Sequence, residues 1–153
     1  MHSKPIDKFA LLLMCLVFAD SAAALPIVRS RHLLPNPILI FTGAEPFATG
    51  GKSFIRYHYD VFNRESYPAE MFAASPQLPP CGKNTRSSRT WVDIYDQSGK
   101  RLYGFCALGS PNELNSIFFV LEEGVLPPSW IYIELNDRQT NTKYKSNLAE
   151  TVL

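Results

Sequence analysis

The chain has 153 residues, 46% of them hydrophobic and 19% charged, with a formal net charge of +1. That length gives one ordinary domain with room for a proper core. Near-neutrality argues against a nucleic-acid binder, which shows a strong excess of Lys and Arg, and net charge alone demands no anionic partner.

The first element is a leader. Lys4 and Lys8 precede an apolar run, "FALLLMCLVFA" from Phe9 to Ala19, followed by the small residues "SAAA". A charged start, a short apolar centre and a small-x-small site make a secretory signal. The run is too short to cross a bilayer as a helix. Ala22 and Ala24 place cleavage after Ala24, so residues 1–24 are a signal peptide and Leu25 begins the mature chain. An uncleaved anchor is the competing reading. Lipidation at Cys15 is disfavoured because Met14 stands where a small residue is required. The mature product is expected to be secreted or periplasmic, with no stable membrane insertion.

Residues 25–36 mix basic residues with Pro26 and Pro35 and are expected to form a flexible lead-in, which leaves 37–153 as one domain. "PILIFTG" gives a short strand that Gly43 should stop. Glu45 to Phe54, "EPFATGGKSF", then ends like a phosphate-binding loop. Such a loop needs a glycine where Pro46 stands, and a helix after the serine. Proline brings no N–H, and "FIRYHYDVF" after Ser53 alternates with period two. The stretch is therefore a Gly-Gly turn entering a strand over about Lys52 to Asn63, and no nucleotide is expected. Ile55, Tyr57, Tyr59 and Val61 share one face of that strand, with Arg56, His58 and Asp60 on the other.

Tyr67 to Phe72 carries Pro68 near its start and is expected to be an edge strand or extended connection. Residues 75–88 form a long loop rich in Pro, Ser and Asn, with Cys81 inside it. Once Cys15 leaves with the signal, Cys81 and Cys106 are the remaining pair, so one disulfide is expected in an oxidising compartment. Closing that loop would stabilise the fold by about 3.5 kcal/mol. "RTWVDIYD", "QSGK" and "RLYGFCA" make a hairpin. Thr90, Val92 and Ile94 share a face opposed by Trp91, Asp93 and Tyr95; on the second arm Leu102, Gly104 and Cys106 oppose Tyr103 and Phe105. Ser110, Pro111 and Glu113 make a capping box for one or two helical turns, before the strand "IFFVL". "WIYIELN" from Trp130 to Asn136 alternates, and a polar turn leads to a last strand near Lys143 to Asn147.

About seven short strands without βαβ alternation point to an all-β fold, an immunoglobulin-like antiparallel β-sandwich, with a small β-barrel as alternative. "YDVFNRESYPAEMF", "LPPCGKN", "SRTWVDIYD", "GFCAL" and "YIELNDR" together resemble small exported bacterial proteins, and no activity comes with the resemblance. The closing "ELNDRQTNTKYKSN" is similar, more weakly, to the last strand pair of fibronectin type III and related domains, which implies the same sandwich. Cys81, Trp91 and Cys106 depart from the cysteine and tryptophan spacing of antibody domains.

Catalysis needs a nucleophile beside a base and an orienting acid. His58 with Asp60 is the one tempting pair, and a small secreted hydrolase using His58 is one alternative function. With His32 and His58 the only histidines of the mature chain, no metal is expected, nor any cofactor. The favoured reading is a non-catalytic binding or interaction module with a protein or glycan partner. Its candidate surface is Trp91, Tyr95, Tyr103, Trp130 and Tyr132, rimmed by Arg86 and Arg89. A structural accessory subunit pairing through a strand edge is the third reading. Intact mass from an exporting host is expected to start at Leu25, with both remaining cysteines alkylated only after reduction; a full-length mass with free thiols would overturn this.

Overall fold

Period-two alternation becomes two antiparallel sheets in the computed structural model, which describes residues 33–81 and 87–151. Strands β1 (Leu39–Thr49), β2 (Lys52–Val61) and β5 (Ile117–Glu122) form a three-stranded sheet in the order β1-β2-β5. The other sheet holds β3 (Thr90–Asp96), β4 (Arg101–Ala107), β6 (Trp130–Asp137) and β7 (Thr142–Lys145) in the order β4-β3-β6-β7; β8 (Ala149–Glu150) also pairs with β6. The sheets do not close on one another, so the fold is a sandwich and not a barrel. The expected signal peptide, most of the expected lead-in and Arg86 lie outside the described residues.

The Gly-Gly stretch is a hairpin turn. Gly50 and Gly51 have φ of 58° and 76° between the paired Thr49 and Lys52, the conformation a two-residue turn between twisted strands requires. Lys52 pairs with Glu122 at 3.2 Å. Contrary to expectation, β1 does not stop at Gly43: the pairing shifts between Phe41 and Gly43 and continues to Thr49. Gly43 absorbs the irregularity with a φ of 149°. Pro46 is tolerated because β1 is an edge strand, where a missing N–H can face solvent.

The core lies between the sheets. Tyr57, Tyr59 and Val61 of β2 and Phe119 of β5 face Val92 and Ile94 of β3 and Ile131, Ile133 and Leu135 of β6. The Tyr57 and Phe119 rings stack at 5.1 Å. Buried phenols need partners for their polar tips. The Tyr59 hydroxyl shares a hydrogen bond with Thr151 at 2.7 Å, and burial pushes its pKa up to about 12. The Tyr67 hydroxyl donates to the Pro35 carbonyl at 2.7 Å, so the sandwich gathers contacts ahead of Pro37.

One connection differs from the sequence reading, and a second follows it with a different partner for Glu113. Tyr67 to Phe72 is no edge strand: single 3-10 turns at Arg64–Ser66 and Ala69–Phe72 bury Met71 and Phe72 in the core. The apolar pair is thereby used as a plug, and Pro68 ends up capping the second turn. At Pro111–Asn115 the expected helical start is a 3-10 turn, with Ser110 Oγ accepting from the Asn112 N–H at 3.3 Å. Glu113 accepts from Leu108 N–H at 2.8 Å, further back than a capping box reaches.

Long-range polar contacts fasten the ends. Asn147 Oδ1 accepts from Leu39 N–H at 2.8 Å and its Nδ2 donates to Leu39 O at 3.0 Å, so the amide acts as a strand partner for the start of β1. At the other end Arg89 grips Asp137 in a two-pronged pair, Nε to Oδ1 at 2.8 Å and Nη2 to Oδ2 at 2.6 Å. Burial pulls the Asp137 carboxyl up, but Arg89, Thr140 and the Gln139 N–H outweigh it and hold the group below its ordinary 3.8. The stability it contributes is therefore complete above that pH and lost as pH falls through the depressed native value. Asp137→Asn is expected to destabilise the fold by about 3 kcal/mol, because it strands a largely buried guanidinium. Urea denaturation from pH 7 downward should show the wild-type advantage shrinking below about pH 4.

Candidate functional site on the outer face of the five-stranded sheet

The register of β3 against its neighbours decides what faces outward. Trp91 lies opposite Cys106 and Asn136, Asp93 opposite Gly104 and Glu134, and Tyr95 opposite Arg101 and Tyr132. On β7, Lys143 and Lys145 extend the Asn136 and Glu134 rows. The outer face is thus three aromatic rings interleaved with charges.

Those charges cover the rings. Tyr95 and Tyr132 stack at 5.2 Å, and the Lys145 ammonium sits 4.0 Å from the Tyr132 centroid. Burial, with the Asp93 and Glu134 carboxylates close by, pushes the Tyr95 phenol up. The Arg101 guanidinium lies 5.6 Å from the Trp91 centroid while its Nε donates to Asp93 Oδ1. Gly104 makes this possible, since a Cβ there would collide with the Arg101 guanidinium and the Asp93 carboxylate. Each cation over a ring contributes about 0.5–1 kcal/mol at an exposed site, so a ligand can displace it.

Beside Trp91 the surface sinks into an open depression of about 290 Å³ where β6 turns into β7. Trp91 forms one wall; Asn136, Asp137 and Arg138 continue it, and Asn141, Thr142 and Lys143 close it. Asn141 holds the turn with a φ of 55°, a left-handed conformation that asparagine tolerates. Asn136 Nδ2 donates to Asp93 Oδ2 at 3.3 Å, and its Oδ1 is buried without a hydrogen-bond partner among the described residues. The Arg138 guanidinium reaches under the depression to Cys81 Sγ at 2.9 Å, Ser88 O at 2.9 Å and Pro79 O at 2.8 Å. Cys81 is bonded to Cys106, with Cα atoms 6.0 Å apart, so disulfide and guanidinium together pin the long loop beside Trp91.

Trp91, Tyr95 and Tyr132 come together, and Trp130 follows the same alternation at the start of β6, 40% exposed. Tyr103 does not join them. It pairs with Ile94, on the inward side of β3, and stacks on Phe118 of the other sheet at 6.1 Å. The face assignment of β4 is therefore corrected: Tyr103 and Phe105 share the side of Ile94 and Val92, whereas Gly104 and Cys106 face outward. A bulge at Leu102, between the pairs Ile94–Tyr103 and Tyr95–Arg101, shifts the alternation. Arg89 is committed to Asp137 and rims nothing. His58 meets Glu45 at 3.1 Å and packs near Phe118, and none of its recorded partners is a nucleophile.

Sequence reasoning missed Asn136, Arg138, Asn141, Thr142 and Lys143. Extending the Trp130, Tyr132, Glu134 alternation by two would have put Asn136 on that face, but its pairing with Trp91 needs the register. The class defined by this fold and site is a β-sandwich with a small polar depression built around an indole. Compared with known protein families, characterised proteins and solved structures, the chain matches none.

Gly104→Ala is expected to expel Arg101 from Trp91 and Asp93. Near-UV circular dichroism should change in the tryptophan region, and thermal unfolding should report a loss of about 1 kcal/mol.

Proposed function

We propose that this is an exported, non-catalytic binding module that holds a saccharide against Trp91. The observation that carries the reading is the indole forming one wall of a depression otherwise lined by amides, a hydroxyl and charged groups. A sugar presents an apolar C–H face for a ring and a rim of hydroxyls for such groups. A volume near 290 Å³ lies at the small end of ligand sites, in keeping with one sugar unit of a longer chain.

The surroundings support this reading. The Cys81–Cys106 bond suits an oxidising compartment, in line with the leader. The strand order supports the immunoglobulin-like part of the expectation, because β4 joins the sheet of β3, β6 and β7 as the added strands of variable-type domains do.

Calorimetric titration of the mature, oxidised protein with a panel of oligosaccharides tests it. Binding should be measurable for at least one sugar class, and Trp91→Ala should weaken it at least tenfold, or about 1.4 kcal/mol, without changing the melting temperature by more than a few degrees. A panel without binding, or binding indifferent to Trp91→Ala, would overturn the reading.

A further inference from the structure

The charges lining the depression do not balance. Asp137 is neutralised by Arg89 through both carboxylate oxygens. Lys143 meets Glu134 only at 3.4 Å, with the lysine side chain 63% exposed, a geometry worth little. Arg138 donates to a sulfur and two carbonyls, all neutral, and no carboxylate pairs with it among the described residues. The adjoining stretch at 82–86, "GKNTR", contributes no acid by sequence. A half-buried guanidinium compensated only by neutral acceptors keeps its full charge for whatever enters beside it.

The second observation is the lining itself. Trp91 offers a flat apolar face, and Asn141 and Thr142 set an amide and a hydroxyl beside it. The site therefore asks for a flat apolar face, hydroxyl groups and a negative charge within one small ligand.

Resting on the saccharide reading above, we infer that the depression selects an anionic sugar residue. The sugar ring stacks on Trp91, its hydroxyls meet the polar groups of Asn141 and Thr142, and the anionic group lies toward Arg138 and Lys143. A carboxylate, as in a uronic acid, and a sulfate ester share this chemistry, and the experiment separates them.

The mature, oxidised protein is titrated by calorimetry with three trisaccharides: a galacturonic acid trimer, its neutral galactose counterpart, and a sulfated neutral trimer. The uronate trimer is expected to bind at least tenfold tighter than the neutral one at low salt, with the advantage shrinking as salt rises. Lys143→Gln should narrow the advantage of the uronate over the neutral trimer severalfold. Trp91→Ala should weaken binding of the charged and the neutral trimer alike. Arg138→Gln can loosen the Cys81 loop, so Lys143→Gln and the salt series carry the charge test independently. Tighter binding of the sulfated trimer than of the uronate would support the anionic inference and assign the sulfate as the group recognised. Equal affinity for charged and neutral trimers would overturn this inference and leave the saccharide reading standing. Failure of all three to bind would overturn both.

Discussion

The register between β3 and β6 is the constraint on which the rest depends. It runs without interruption from Thr90 opposite Asp137 to Asp96 opposite Ile131. Side chains alternate with period two, so this single alignment sends Val92, Ile94, Ile133 and Leu135 inward and Trp91, Asp93, Tyr95, Tyr132, Glu134 and Asn136 outward. A slip by one residue would turn Asp93 or Glu134 into the core, at a cost far beyond what a domain of this size can bear. Both ends of the pairing are pinned. Arg89 holds Asp137 at one end, and at the other the Gln97 side chain and backbone bond to Trp130.

The candidate site is a by-product of that alignment. Trp91 and Asn136 are neighbours because the register makes them so, and Asp93 orients the Asn136 amide because it stands on the same face. Arg138 follows Asp137 directly, which places its guanidinium at the strand end, where it reaches the disulfide loop on one side and the depression on the other. The same residue thus serves architecture and electrostatics. The disulfide leaves β4 on the outer side, opposite Trp91, so it braces the rim of the depression and does not join the two sheets.

Much of the fold was legible from alternation alone: β2, β3 and β6 carry their inward residues where the sequence pattern puts them, and the Gly50-Gly51 turn follows from chain chemistry. What was not legible has identifiable causes. β1 runs through Gly43 because a bulge absorbs the glycine, and no pattern distinguishes a bulge from a stop. The faces of β4 were inverted because Leu102 shares the alternation of Gly104 and Cys106, while the register turns Phe105 and Ala107 toward the core and the bulge at Leu102 lets that residue pack against it too. Met71 and Phe72 look like a strand until the sandwich offers them an end to fill. Of the site, Trp91 was visible as an outward aromatic, whereas Asn136 and Arg138 gain meaning only through partners distant in the chain.

The clasp between Asn147 and Leu39 bears on the order in which the fold closes. It joins residues 108 apart in sequence, and the Tyr59 to Thr151 bond joins residues 92 apart. The hairpin of β1 and β2 is local by contrast, since only Gly50 and Gly51 separate its arms. Contacts of long range are slow to form. Pairing of the hairpin is thus an early event, and the sealing of the sandwich is a late one that waits for the segment around Asn147 and Thr151 to come back to it.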